Sequence, residues 1–221
     1  MKKNLLNILL FTSFSLFVLL LILILVVDVT TIPFNGKIGL TSLNKIFYYV
    51  LDFDTRLMID SISDFFMYAS ILGVVAIAGI GAYQLFKNKS IKKVDSKIIL
   101  LGCFIVIAGI IWVLFDNIIV INYRPFNYEG KLEGSFPSTH VMLVTFVYLA
   151  SLKFFNFYNK PKSFKYILYG FSIMVIIFTG VCRILSLMHW FTDVLGGVLI
   201  GLTLYFGYLK SIEIVNNKIN K

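Results

Sequence analysis

The stretch Arg183-Ile-Leu-Ser-Leu-Met-His189-Trp190-Phe-Thr192-Asp193 puts a cation, an imidazole and a carboxylate inside a chain that is otherwise mostly hydrocarbon. With a helix opening across Met188 to Gly197, His189 and Asp193 stand four residues apart on one face. A carboxylate so placed can fix the tautomer of an imidazole and raise its basicity, as the acid of a catalytic triad does. A second cluster, Arg124-Pro125 followed by Pro137-Ser138-Thr139-His140, brings another guanidinium and another imidazole. The chain holds two histidines and three arginines, Arg56, Arg124 and Arg183. Both histidines and two of those arginines fall in the two clusters, a concentration hard to attribute to chance.

The background to these clusters is a membrane chain. Of 221 residues, 59% are hydrophobic and 14% charged, with a mean hydropathy of +0.90, which lies far outside the composition of a soluble domain. Several apolar runs match the ~30 Å hydrocarbon core of a bilayer. The length suggests one domain, 1–221. The net charge of +9 is carried by lysines in short loops between apolar runs, the pattern of membrane orientation and not of a nucleic-acid surface. Cys103 and Cys182 lie in apolar segments expected near opposite membrane faces, so neither a disulfide framework nor redox chemistry is expected.

Taken in order, Lys2-Lys3 precede an apolar run from Leu5 to Val27. It is too long for the ~7–15-residue core of a cleaved signal, so it reads as a first transmembrane helix. Residues 28 to 65 mix Asp52, Asp54, Asp60 and Asp64 with apolar positions near helical spacing. They read either as short amphipathic helices on the membrane surface or as a plain solvated loop. Further spans are expected over Phe65 to Phe86, Ile98 to Ile121, Ser138 to Leu152, Tyr166 to Val181 and His189 to Leu209, giving an all-α polytopic protein of six transmembrane helices. Gly197 and Gly201 form a small-xxx-small pair that allows close helix contact or is ordinary transmembrane glycine.

Orientation follows from the basic residues. With the N-terminus inside, Lys2, Lys3, the 87–97 loop, the 153–165 loop and the tail face inward. Lys37, Lys45, Arg56, Arg124, Lys131 and Arg183 face outward, a minority that includes both clusters. The expected picture is a multi-pass plasma-membrane protein with cytoplasmic termini and its chemistry at the outer face.

Ionisable groups at membrane depth usually face a protein interior or a water-filled cavity. Guanidinium binds phosphate bidentately, and the backbone amides at the helix start after Pro137 suit an anion. Pro137 fits a helix start and Ser138 a cap. Two imidazoles beside a phosphate divide into nucleophile or base and proton donor. His189, backed by Asp193, is the better nucleophile, leaving His140 as the acid.

These residues resemble the type 2 phosphatidic acid phosphatase superfamily of membrane lipid phosphatases, which shares fold and chemistry with vanadium haloperoxidases. Its motifs read Lys-x6-Arg-Pro, Pro-Ser-Gly-His and Ser-Arg-x5-His-x3-Asp. This chain offers Arg124-Pro125, Pro137-Ser138-Thr139-His140 and Cys182-Arg183-x5-His189-x3-Asp193. The resemblance implies a haloperoxidase-like helical core and a phosphohistidine formed on His189, polarised by Asp193. It implies that His140 protonates the leaving group and that Arg124, Ser138, Thr139 and Arg183 hold the phosphate oxygens. No metal or cofactor is implied.

The chain departs from these motifs in three places. Asn117 stands where the first motif has lysine, which removes one phosphate-binding cation; Thr139 replaces glycine and Cys182 replaces serine. Lys131 is the candidate to fill the lysine's space, with Asn117 a second auxiliary. The expected activity is metal-independent phosphate hydrolysis on an outer-leaflet lipid, undecaprenyl diphosphate favoured over phosphatidylglycerophosphate, phosphatidic acid and lipid A phosphates. The rivals are a lipid phosphotransferase and a transporter or lipid-phosphate binder without catalysis. The partners expected are the lipid phosphate and the bilayer, with no nucleic acid and no obligate protein partner.

Overall fold

The structure, a computed structural model, describes residues 3–32, 36–126, 133–154 and 161–219. Among the described residues, six long or apolar helices and one short helix make up the fold, with a small two-stranded ribbon at the site end. The helices are α1 (Lys3–Val26), α2 (Thr41–Ile46), α3 (Phe53–Asn88), α4 (Ser96–Val113), α5 (Thr139–Ser151), α6 (Lys162–Leu185) and α7 (Phe191–Ile219). The ribbon pairs β1 (Thr30–Ile32) with β2 (Gly36–Ile38) antiparallel, Thr30 opposite Ile38. Strands of three residues leave no periodic signal in a sequence, so the ribbon is an addition to the all-helical reading.

Among the described residues, five helices are long and apolar enough to cross a membrane: Asn4–Val26, Phe53–Asn88, Ser96–Ile118, Lys162–Leu185 and Phe191–Lys218. The expected fourth span is α5, which has only 13 residues, about 20 Å of helix against a ~30 Å hydrocarbon core. Its position explains its length. Helix α5 is enclosed by α3, α6 and α7, with Val141, Val144, Phe146 and Ala150 fully buried, so it packs against protein instead of matching the bilayer. By contrast, α1, α3, α4 and α6 turn Phe11, Leu72, Val106 and Ile167 outward, all large, apolar and exposed. Apolar surface on that scale is a lipid-facing surface.

Helix α3 differs most from expectation. It begins at Phe53, twelve residues before the expected span, and runs unbroken to Asn88. Asp52 caps it, its carboxylate accepting the Thr55 amide at 2.9 Å. Its buried positions include Arg56, Ser63, Ser70 and Ile77, spaced by sevens, so one stripe faces inward along the whole helix. That stripe is polar at its N-terminal end, where Arg56 also lies 4.2 Å from the Phe126 ring centroid. A polar inward stripe reads from sequence as a surface helix, and here it faces the other helices.

The centre of the bundle is α7, which runs along both α5 and α1. The approach to α5 is set by glycine. A Cβ on Gly197 would stand 2.5 Å from the Ser138 carbonyl, and one on Gly201 2.7 Å from Thr145 Cβ. Below the site, Phe136 stacks on Phe17 of α1 at 5.9 Å and meets Phe115 edge-on at 6.1 Å. Gly39, after β2, is likewise pressed against the Ile24 carbonyl of α1, with no room for a side chain.

Gly197→Ala should therefore lower the melting temperature in detergent, since overpacking typically costs about 1–3 kcal/mol and each kcal/mol is about 2–4 °C in a chain of this size. Gly102→Ala, whose new methyl would meet open space, is the control. Equal melting temperatures for the two variants would contradict the close α5–α7 crossing.

Candidate active site

Arg183 lies in the last turn of α6 and is 3% exposed. The helix stops two residues later. Leu187 takes a left-handed backbone (φ 57°), and the chain doubles back so that the His189 amide donates to the Arg183 carbonyl at 3.2 Å. This turn sets the second histidine beside the guanidinium before α7 begins.

The His189 ring is buried, and its Nδ1 lies 2.9 Å from the Ser135 backbone carbonyl. A carbonyl only accepts, so Nδ1 carries the proton and Nε2 keeps its lone pair. Burial first, then the charges of Arg183, Arg124 and His140, push the His189 pKa well below the usual histidine range. The imidazole is neutral at neutral pH, the state a nucleophile requires.

The expected partner of Nδ1 was Asp193, and here the geometry differs. The nearest Asp193 oxygen is 3.9 Å from Nδ1, beyond hydrogen-bonding distance. Asp193 Oδ1 accepts from Asn122 Nδ2 at 2.8 Å and Oδ2 from the Trp190 amide at 2.9 Å. The carboxylate thus closes the first turn of α7 and stands beside the imidazole as a charge. The Ser135 carbonyl is nearer and takes the proton.

Asn122 was not visible as a site residue. Fully buried, it also accepts the Gly39 amide at 3.1 Å, while Asn44 accepts the Thr192 amide at 3.1 Å and donates to the Gly39 carbonyl at 3.0 Å. The segment read as surface helix or loop is therefore bonded into the base of α7. Asparagine in a mixed stretch carries no spacing signal, which is why this tie was missed.

Helix α5 starts at the same point. The Ser138 amide donates to the Asp193 carbonyl at 2.9 Å, joining the starts of α5 and α7. Ser138 is fully buried and its hydroxyl makes no hydrogen bond among the described residues. His140, the second residue of α5, places Nε2 2.9 Å from Asp64 of α3; its Nδ1 is buried without a partner among the described residues. Arg183 is bonded to Asp60, reaches Ser63 Oγ at 3.2 Å and lies 3.5 Å from Asp64. Asp60 and Asp64 were read as surface acids, and they meet the two clusters directly.

Arg124 pairs with Glu133 at 2.8 Å and touches Met188 Sδ at 3.5 Å. Backbone bonds from Arg124 to Glu133 and from Ser135 to Asn122 hold the two arms of the intervening loop together. Lys131 falls in that loop, outside the described residues. Asn117 lies in a π turn, Leu114–Ile118, that extends α4; it is exposed, and its amide donates back to Val113. Asp116, in the same turn, faces the cleft in place of Asn117.

One cleft of about 470 Å³ gathers His140, His189, Arg124, Thr139 and Ser135, with an apolar wall of Met67, Ile71, Ile105, Trp112 and Leu143. Arg183, Ser138 and Asp193 lie behind this lining. Among the described residues, no group of three or more His, Cys, Asp or Glu side chains gathers to hold a metal ion. Two fixed imidazoles beside a guanidinium and a helix N-terminus are equipped to bind an anion, attack it and move a proton.

Residues 112–215 match the model of the PAP2 superfamily, the family that the motifs resemble. A phosphatidylglycerophosphatase B of Bacillus subtilis (strain 168) is 34% identical over 89 residues, covering 38% of this chain and 41% of that protein. The alignment thus spans less than half of the relative's length. A crystal structure of a transmembrane PAP2-type phosphatidylglycerolphosphate phosphatase from Bacillus subtilis superposes with a TM-score of 0.63, covering 93% of this chain and 96% of that one at 20% identity. The fold is shared along nearly the whole chain.

Asn122→Leu leaves a buried carboxylate oxygen and the Gly39 amide without their partners, so it should destabilise the protein by about 1.5–3 kcal/mol. Denaturation in detergent measures this. Wild-type stability in that variant would contradict the role given to Asn122.

Proposed function

We propose that this chain, with its PAP2-superfamily segment, is a membrane phosphatase that removes a phosphate from a lipid headgroup through a phosphohistidine. One observation carries the reading: two imidazoles of defined tautomer and a guanidinium share a single cleft with an apolar wall. The polar end suits the phosphate, and the wall suits the lipid's hydrocarbon.

In the reaction, the His189 Nε2 lone pair attacks phosphorus, and the bond from phosphorus to the lipid oxygen breaks. His140 protonates the departing alkoxide. Arg124, Arg183, Thr139, Ser138 and the amides that open α5 bind the phosphate oxygens. Asp193 sets its negative charge beside the imidazole, which becomes positive as the N–P bond forms. Water then attacks the phosphohistidine, with His140 taking its proton, and phosphate leaves. No step calls on a metal or cofactor.

For the substrate, we favour a phosphomonoester of the phosphatidylglycerophosphate kind. Two relatives carry that substrate in their names, and the cleft lacks the motif lysine that would add charge for a second phosphate. Undecaprenyl diphosphate is the rival and belongs in the same assay. By the distribution of lysine and arginine, the protein is a plasma-membrane protein with cytoplasmic termini and the cleft at the outer face.

The test is phosphate release from a panel of lipid phosphates by purified protein. Release should be fastest with the phosphomonoester, persist in EDTA, vanish in His189→Ala and fall about 10²–10⁴-fold in His140→Ala. Full activity in His189→Ala, or a strict need for added metal, would overturn the mechanism.

A further inference from the structure

Helix α3 contributes no motif residue, yet its carboxylates reach both clusters. Asp64 Oδ1 lies 2.9 Å from His140 Nε2, and the side chain is 34% exposed, so it holds its place without being part of the packed core. A carboxylate accepts hydrogen bonds, so the proton between them is on Nε2. That leaves Nδ1, buried, unpartnered among the described residues and on a ring that lines the cleft, as the atom that exchanges protons with the substrate.

We propose that Asp64 is the positioning residue of the proton donor, fixing the His140 ring so that Nδ1 faces the phosphate oxygen that departs. The inference rests on the phosphohistidine reading and deepens it. In the first step the N–P bond forms as the P–O bond breaks, and the alkoxide takes the proton from Nδ1. His140 becomes neutral, still donating from Nε2 to Asp64. In the second step Nδ1 takes a proton from the attacking water. Asp64 keeps Nε2–H as a donor throughout, so the same nitrogen serves both steps. Asp60, one turn earlier, is bonded to Arg183, which Asp64 also approaches at 3.5 Å.

A leaving group that needs no proton separates this role from a merely structural one. On an alkyl phosphate ester, Asp64→Ala should lower kcat about 10²-fold, the low end of what a general acid contributes, with KM changed less than about threefold. On p-nitrophenyl phosphate, whose product leaves as the stable phenolate, the same variant should lose less than about threefold in the phosphorylation step. Asp64→Glu should recover most of the alkyl activity. Equal losses on both substrates, or no loss on either, would overturn the proposal. Rapid quench of the wild type with labelled substrate tests the underlying reading separately. Absence of a phosphoenzyme there removes the phosphohistidine, whatever Asp64 does.

Discussion

The site depends on one hydrogen bond, from the Ser138 amide to the Asp193 carbonyl, which joins the first turns of α5 and α7. Each helix carries residues of one cluster at its N-terminal end, His140 on α5 and Asp193 on α7. The bond is made possible by Gly197, where a larger residue would collide with the Ser138 carbonyl. Once the two starts are joined, the Ser135 carbonyl falls within reach of His189, and His140 faces the same cleft. His140 and His189, 49 positions apart in the sequence, come to line one cleft.

The second constraint is electrostatic. Arg124 and Arg183, with the neutral His189, would leave a buried excess of positive charge near the bilayer surface. Glu133 answers Arg124, and Asp60 with Asp64 answers Arg183. A buried guanidinium without such partners is expensive, which accounts for acids at this end of α3. On the proposed reading, a phosphate would compete with carboxylates already in place on Arg124 and Arg183.

What was legible in the sequence was the pairing of the two clusters and the membrane character around them. The spacing of His189 and Asp193, the Arg124-Pro125 pair and the Pro137 start are local signals, and apolar runs over twenty residues are unmistakable. The structure brings His140, His189, Arg124 and Thr139 to one cleft, with Arg183, Ser138 and Asp193 behind it. The illegible part was everything that reaches the site from elsewhere in the chain. Asp60 and Asp64 face inward because α3 extends three turns beyond its hydrocarbon portion, and a polar inward face has the same periodicity as a polar outward one. Asn44 and Asn122 act through side-chain amide hydrogen bonds over long sequence separations. Spacing also overstated the link between Asp193 and His189, because a backbone carbonyl, which no sequence pattern marks, came closer.

The proposed covalent intermediate is tested most directly by the stereochemistry at phosphorus, using a substrate whose phosphate is made chiral with oxygen isotopes and sulfur. Attack by His189 followed by attack of water inverts the phosphorus twice, so the account requires net retention of configuration. Net inversion would mean a single direct displacement by water, and would contradict the role of the imidazole around which the site is built.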